Sequence, residues 1–61
     1  MICFQVTNLP NIGDRVKYNG RSYQIISDPK QSRMNYLFKA KARLVTADSP
    51  YWDLFFYFEL V

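Results

Sequence analysis

Asn19-Gly20, set between Val16-Lys17-Tyr18 and Arg21-Ser22-Tyr23-Gln24-Ile25-Ile26, constrains this chain more than any other feature. A type I′ turn needs positive φ at both central residues, and Asn followed by Gly accepts that readily. The twist of that turn also matches the strands it joins. A two-residue loop sets the register. Tyr18 falls opposite Arg21, Val16 opposite Tyr23 and Asp14 opposite Ile25 on one face. Lys17 then meets Ser22 and Arg15 meets Gln24 on the other. The first face is mostly apolar and the second wholly polar, as in a hairpin with one side on a core.

Ile2, Phe4 and Val6 alternate with Cys3 and Gln5 and read as a first strand, and 7–13, with Pro10 and Gly13, reads as a loop. Residues 28–45 fit two periods. As a helix over about 29–43, Asp28 would be the N-cap and Pro29 the first helical residue. Met34, Leu37, Phe38, Leu44 and Val45 would then share a face, with Lys41 the misfit. As a strand, Tyr36, Phe38, Ala40, Ala42 and Leu44 point one way, and Lys39, Lys41 and Arg43 the other. The aromatic run of 52–61 is the strongest strand by composition. An antiparallel register with Ala40 opposite Phe58, Ala42 opposite Phe56 and Leu44 opposite Leu54 sets small against large. The other face then pairs Lys39 with Glu59, Lys41 with Tyr57 and Arg43 with Phe55. Such contacts contribute about 0.2–1 kcal/mol each. That complementarity favours two strands, with 46–52, including Asp48, Ser49 and Pro50, as their connecting loop.

The expectation is a mainly β, small antiparallel five-stranded barrel or strongly twisted sheet. Its strands would be 2–6, 14–19, 22–27, 36–45 and 53–61, with a short or helical turn within 28–35. An α+β sheet with a helix at 29–43 is the alternative. Sixty-one residues make one domain, 1–61. A chain of this size buries only about 60% of its unfolded surface, and Cys3, the sole cysteine, has no disulfide partner within it.

The segment Gly13-Asp14-Arg15-Val16 through Ile26 resembles the opening hairpin of small SH3-like barrels, whose KOW-type and Tudor-like members often begin with Gly-Asp-x-Val before a turn and an aromatic-aliphatic strand. The likeness covers about a quarter of the chain. It implies a binding module, with RNA, DNA, peptides and proteins all among the ligands of such barrels. The tail departs from that pattern: the usual last strand after a 3₁₀ turn is not evident, and the aromatic C-terminal strand is unusually long.

Composition narrows the chemistry. The absence of histidine removes the ordinary general base near neutral pH, the imidazole metal ligand and the Ser-His or Cys-His dyad. Asp14, Asp28, Asp48, Asp53 and Glu59 are the only carboxylates, and no two are close in sequence. Asp14 is expected to accept backbone hydrogen bonds before the hairpin, Asp28 to cap a turn, and Cys3 to be an inert buried thiol. With Gly13 and Gly20 the only glycines, there is no phosphate-cradling loop. No enzyme, metal, cofactor or small-molecule substrate is expected. The longest apolar run, Leu54 to Phe58, is five residues against the roughly 20 a spanning helix needs. The first residues lack a signal peptide's basic and apolar regions, so a cytoplasmic protein off the membrane is expected. Eleven aromatic residues argue against disorder.

Two sets of residues point to binding. All eight basic residues lie from Arg15 to Arg43, with only Asp28 opposing them. Arg15, Lys17, Lys39, Lys41 and Arg43 beside outward aromatics would suit single-stranded nucleic acid, through phosphate contact and base stacking. The plain counterpart is a solvated face whose lysines discourage edge-to-edge aggregation. The second set is Tyr51, Trp52, Phe55 and Tyr57. If Leu54, Phe56, Phe58 and Leu60 face the core, Phe55, Tyr57 and Val61 face outward. They would then meet a protein partner, a second copy, or a covering segment of the chain. Tyr51 and Trp52 are either a loop-tip anchor or, the favoured expectation, a lid over the barrel end. A net charge of +3 is modest, so protein binding through the aromatic strand leads and nucleic-acid binding is the alternative.

Overall fold

The computed structural model describes residues 1–46, 48 and 50–61. Its strands are β1 (Ile2–Val6), β2 (Arg15–Tyr18), β3 (Arg21–Ile25), β4 (Lys30–Gln31), β5 (Phe38–Leu44) and β6 (Asp53–Leu60). The sheet order is β1-β6-β5-β3-β2, with the short β4 also on β5. The strongly curled mixed sheet forms a small β-rich half-barrel, consistent at a coarse level with an SH3-like fold.

The hairpin forms in the register that Asn19-Gly20 dictates, with Val16 opposite Tyr23 and Tyr18 opposite Arg21. Both turn residues take positive φ, Asn19 at 54° and Gly20 at 78°. Ahead of it, Gly13 donates to the Ile25 carbonyl at 2.8 Å and the Ile25 N–H to that of Asp14 at 2.8 Å. Asp14 Oδ2 in turn accepts from the Asn11 N–H at 2.9 Å, as its loop position implies.

Residues 38–44 are a strand, not part of a helix over 29–43. Ala40 and Ala42 are fully buried while Lys39 and Lys41 are exposed, the period of two that a helix would scramble. The β5–β6 pairing is antiparallel with Ala40 opposite Phe56 and Ala42 opposite Leu54, two residues from the expected register. A shift of two keeps every side chain on its face, so the inward and outward sets stand. What changes is the outer partner of each cation. Arg43 now faces Asp53 rather than Phe55, and Lys39 faces Tyr57 rather than Glu59.

Two features depart from an antiparallel five-stranded plan. β1 pairs with β6 in parallel, Ile2 beside Phe56 and Val6 beside Leu60, so the sheet is mixed. The segment after β3 also returns to β5 as β4. Ile25 to Lys30 takes five steps while Ala42 to Lys39 takes three, which places two extra residues in a bulge. Within it the Ile26 N–H reaches the Lys41 carbonyl at 2.9 Å, and Ser27 Oγ accepts from the Lys41 N–H at 2.8 Å. Pro29, which has no N–H to offer a ladder, sits in this interruption. A 3₁₀ turn, Pro50–Trp52, does precede the last strand. Of the expected 46–52 loop, Ala47 and Ser49 lie outside the described residues.

The concave side holds the core. Tyr23, Ile25, Ala40, Ala42, Phe56 and Phe58 are buried, with Ile2, Phe4, Val6, Val16 and Tyr18 packed against them. Phe4 meets Phe56 edge-on at 5.2 Å and stacks on Phe58 at 5.6 Å, while Tyr18 and Tyr23 close on Phe56 from the hairpin at 5.8 and 5.3 Å. Alanine at 40 and 42 leaves room on the inside of the curl for those rings. Leu60, expected inward, is half exposed at the end of its strand. Alternation with Ile2, Phe4 and Val6 turns Cys3 outward, and its thiol is exposed rather than buried.

Candidate functional site

The convex face of β5 and β6 brings together side chains from both sets. Phe55 is 48% exposed, with Lys39 Nζ 4.2 Å and Lys41 Nζ 5.7 Å from its ring centroid. Lys39 Nζ also lies 6.0 Å from the Tyr57 ring, which is half-buried. Each exposed ammonium–ring contact contributes about 0.5–1 kcal/mol. Cation–ring contacts therefore form, but from Lys39 and Lys41 to Phe55 and from Lys39 to Tyr57, in place of the expected Arg43–Phe55 and Lys41–Tyr57 pairs.

On the far side of β5, Lys30 stands directly opposite Lys39. Ser27, Asp28, Lys30, Lys39, Lys41 and Phe55 line one open groove between the bulge and the aromatic strand. Neither Lys30, Lys39 nor Lys41 has a carboxylate within ion-pair distance among the described residues. Lys30 was not singled out from the sequence. Only the two-residue bulge brings it to Lys39, and bulge positions carry no strong sequence signal beyond Pro29.

Acids bound this cluster at both ends of β6. At one end Asp53 takes a bidentate contact from Arg43, Nε to Oδ1 at 2.8 Å and Nη2 to Oδ2 at 3.1 Å. That hydrogen bond from Arg43 lowers the Asp53 pKa, and the same contact raises that of Arg43. At the other end Glu59 Oε1 accepts from Gln5 Nε2 at 3.2 Å. A hydrogen bond to Glu59, reinforced by its charge, raises the pKa of Tyr36.

The remaining expected residues lie elsewhere. Arg15 and Lys17 are on β2, separated from β5 by β3, roughly 10 Å across the sheet. Arg43 is held by Asp53. The basic residues thus form separate groups rather than one strip. Tyr51 (93% exposed) stands out at the 3₁₀ turn and covers little, while Trp52 beside it is half exposed (52%). Trp52 lines a different groove, with Arg15, Arg21, Leu44 and Val45.

No group of three or more His, Cys, Asp or Glu side chains among the described residues could hold a metal ion. No helix among them is long and apolar enough to cross a membrane. Comparison with protein-family models, curated proteins and solved structures returns no match.

Proposed function

We propose that this chain is a non-catalytic binding module of the SH3-like kind that holds a protein partner on the convex face of β5 and β6. The observation that carries the reading is Phe55, an aromatic ring half exposed on a regular strand with two ammonium groups beside it. Its own fold does not cover it, and a rigid strand offers it to a partner at little conformational cost. Tyr57 extends that contact, and Tyr51 and Trp52 form a second exposed point at the 3₁₀ turn. The free, exposed thiol of Cys3 suits a reducing compartment, and we place the protein in the cytoplasm.

A photo-crosslinking phenylalanine analogue at Tyr57, introduced in the native cell, tests the proposal. A discrete protein adduct that disappears with Phe55→Ser is the expected result, with circular dichroism showing that the variant still folds. An adduct of twice the chain mass would identify a second copy as the partner. One that survives Phe55→Ser would remove the reading.

The second reading, single-stranded nucleic acid, draws on the grouping of Lys30, Lys39 and Lys41 around an aromatic ring. A nuclease-sensitive adduct in the same experiment would favour it.

A further inference from the structure

Resting on the protein-binding reading, we infer that the partner segment covering Phe55 is a short extended stretch with acidic side chains at alternate positions. Three features define this occupant. Lys30, Lys39 and Lys41 face one groove against a single lining carboxylate, Asp28, and none of the three is within ion-pair distance of a carboxylate among the described residues. Their placement is regular, since Lys39 and Lys41 are alternate residues of one strand and Lys30 is the cross-strand neighbour of Lys39. Alternate residues of an extended chain are about 6.7 Å apart, so glutamates at i and i+2 match the spacing of Lys39 and Lys41. The groove wall is Phe55, the cross-strand partner of Lys41, which gives the methylene stems of the same glutamates an apolar surface to cover.

The cluster's boundaries favour a peptide over a polynucleotide. Asp53 closes one end of the outward row on β6 and Glu59 the other. Toward Glu59 a phosphate chain along that row would meet a carboxylate, and toward Asp53 it would meet the Arg43–Asp53 pair, whose charges already offset. The unpaired cations thus span only a short stretch, which a short acidic segment fits. Lys39 Nζ lies over the Phe55 ring at 4.2 Å, and carboxylates meet the ammonium groups where they stand. Arg15 and Lys17, two strands away, do not extend the patch.

Fluorescence anisotropy with the full chain and a labelled, capped peptide of alternating glutamate and leucine tests this. The probe should bind, and its glutamine counterpart should bind at least about tenfold more weakly. Lys39→Gln/Lys41→Gln should weaken the glutamate peptide about tenfold or more, while Lys17→Gln leaves it within about twofold. Raising salt should weaken it as well. The charge-reversed Lys39→Glu/Lys41→Glu protein should take up a lysine-leucine peptide instead. Three results would overturn the inference: no binding of the glutamate peptide, equal binding of the glutamine peptide, or tighter, lysine-dependent binding of an oligothymidine of equal length. None of these touches the broader reading if the Tyr57 adduct still depends on Phe55. An adduct indifferent to Phe55→Ser would remove that reading whatever the peptides do.

Discussion

Lys30 and Lys39 are direct partners across the β4–β5 pairing, two like charges where a sheet ordinarily sets opposite ones. Like charges directly opposite each other destabilise a sheet. Lys30→Glu should therefore raise the urea midpoint at low salt, and the gain should shrink as salt screens it. The same change should weaken the glutamate peptide. A midpoint that falls or stays level at low salt would count against the pairing.

Phe55 and Phe56 are neighbours with opposite roles. Phe56 is fully buried under Phe4, Tyr18 and Tyr23, and truncating a buried phenylalanine costs about 3–5 kcal/mol. At about 0.05–0.15 kcal/mol per residue, 61 residues carry only about 3–9 kcal/mol in all. Phe56→Ala should leave a large unfolded fraction at room temperature, visible as collapsed dispersion in a proton NMR spectrum. Phe55→Ala should keep native dispersion and lose about 1–2 kcal/mol with its two cation contacts.

At the hairpin turn, Gly20 has φ of 78° and open space where a Cβ would be built. Gly20→Ala should cost about 1–2 kcal/mol through the backbone alone. Asn19→Gly, at φ 54°, should change stability by less than half as much. Equal effects in thermal unfolding would contradict a type I′ turn.

Acid should unfasten the Arg43–Asp53 contact. The Asp53 pKa is lowered in the folded state, so the folded protein binds that proton less readily than the unfolded chain. The resulting stability is present above the unfolded carboxyl pKa, near 4, and is lost as pH falls through the lower folded value. Arg43→Gln should flatten the decline of the urea midpoint below about pH 4. An unaltered acid limb would show that the contact contributes nothing measurable, as exposed pairs often do.

How far the fold was legible varied with the kind of signal. Asn19-Gly20 carries its register within two residues, because turn geometry allows little else. The faces of β5 and β6 were equally legible from alternation. Their register was not, since offsets differing by two both set alanines against large apolar residues. What separates them is Arg43, which meets Asp53 in one and Phe55 in the other, so a charge pair at the strand ends was the available clue. β4 was invisible because two residues across a bulge have no period. The parallel pairing of β1 escaped because no turn connects it to β6. At the site, Phe55, Tyr57, Lys39 and Lys41 were legible from alternation alone. Lys30 was not, and the separation of Arg15 and Lys17 from that group depends on sheet order rather than on any local pattern.

The parallel seam between β1 and β6 joins Gln5 to Glu59 over 54 positions of sequence. Every other strand pairing closes within the chain that lies between them, but β1 has no partner until residues 56–60 exist. Closing so long a loop is an entropic cost that the more local hairpins do not face. The β1–β6 seam is thus the pairing of this sheet that carries the largest loop-closure cost.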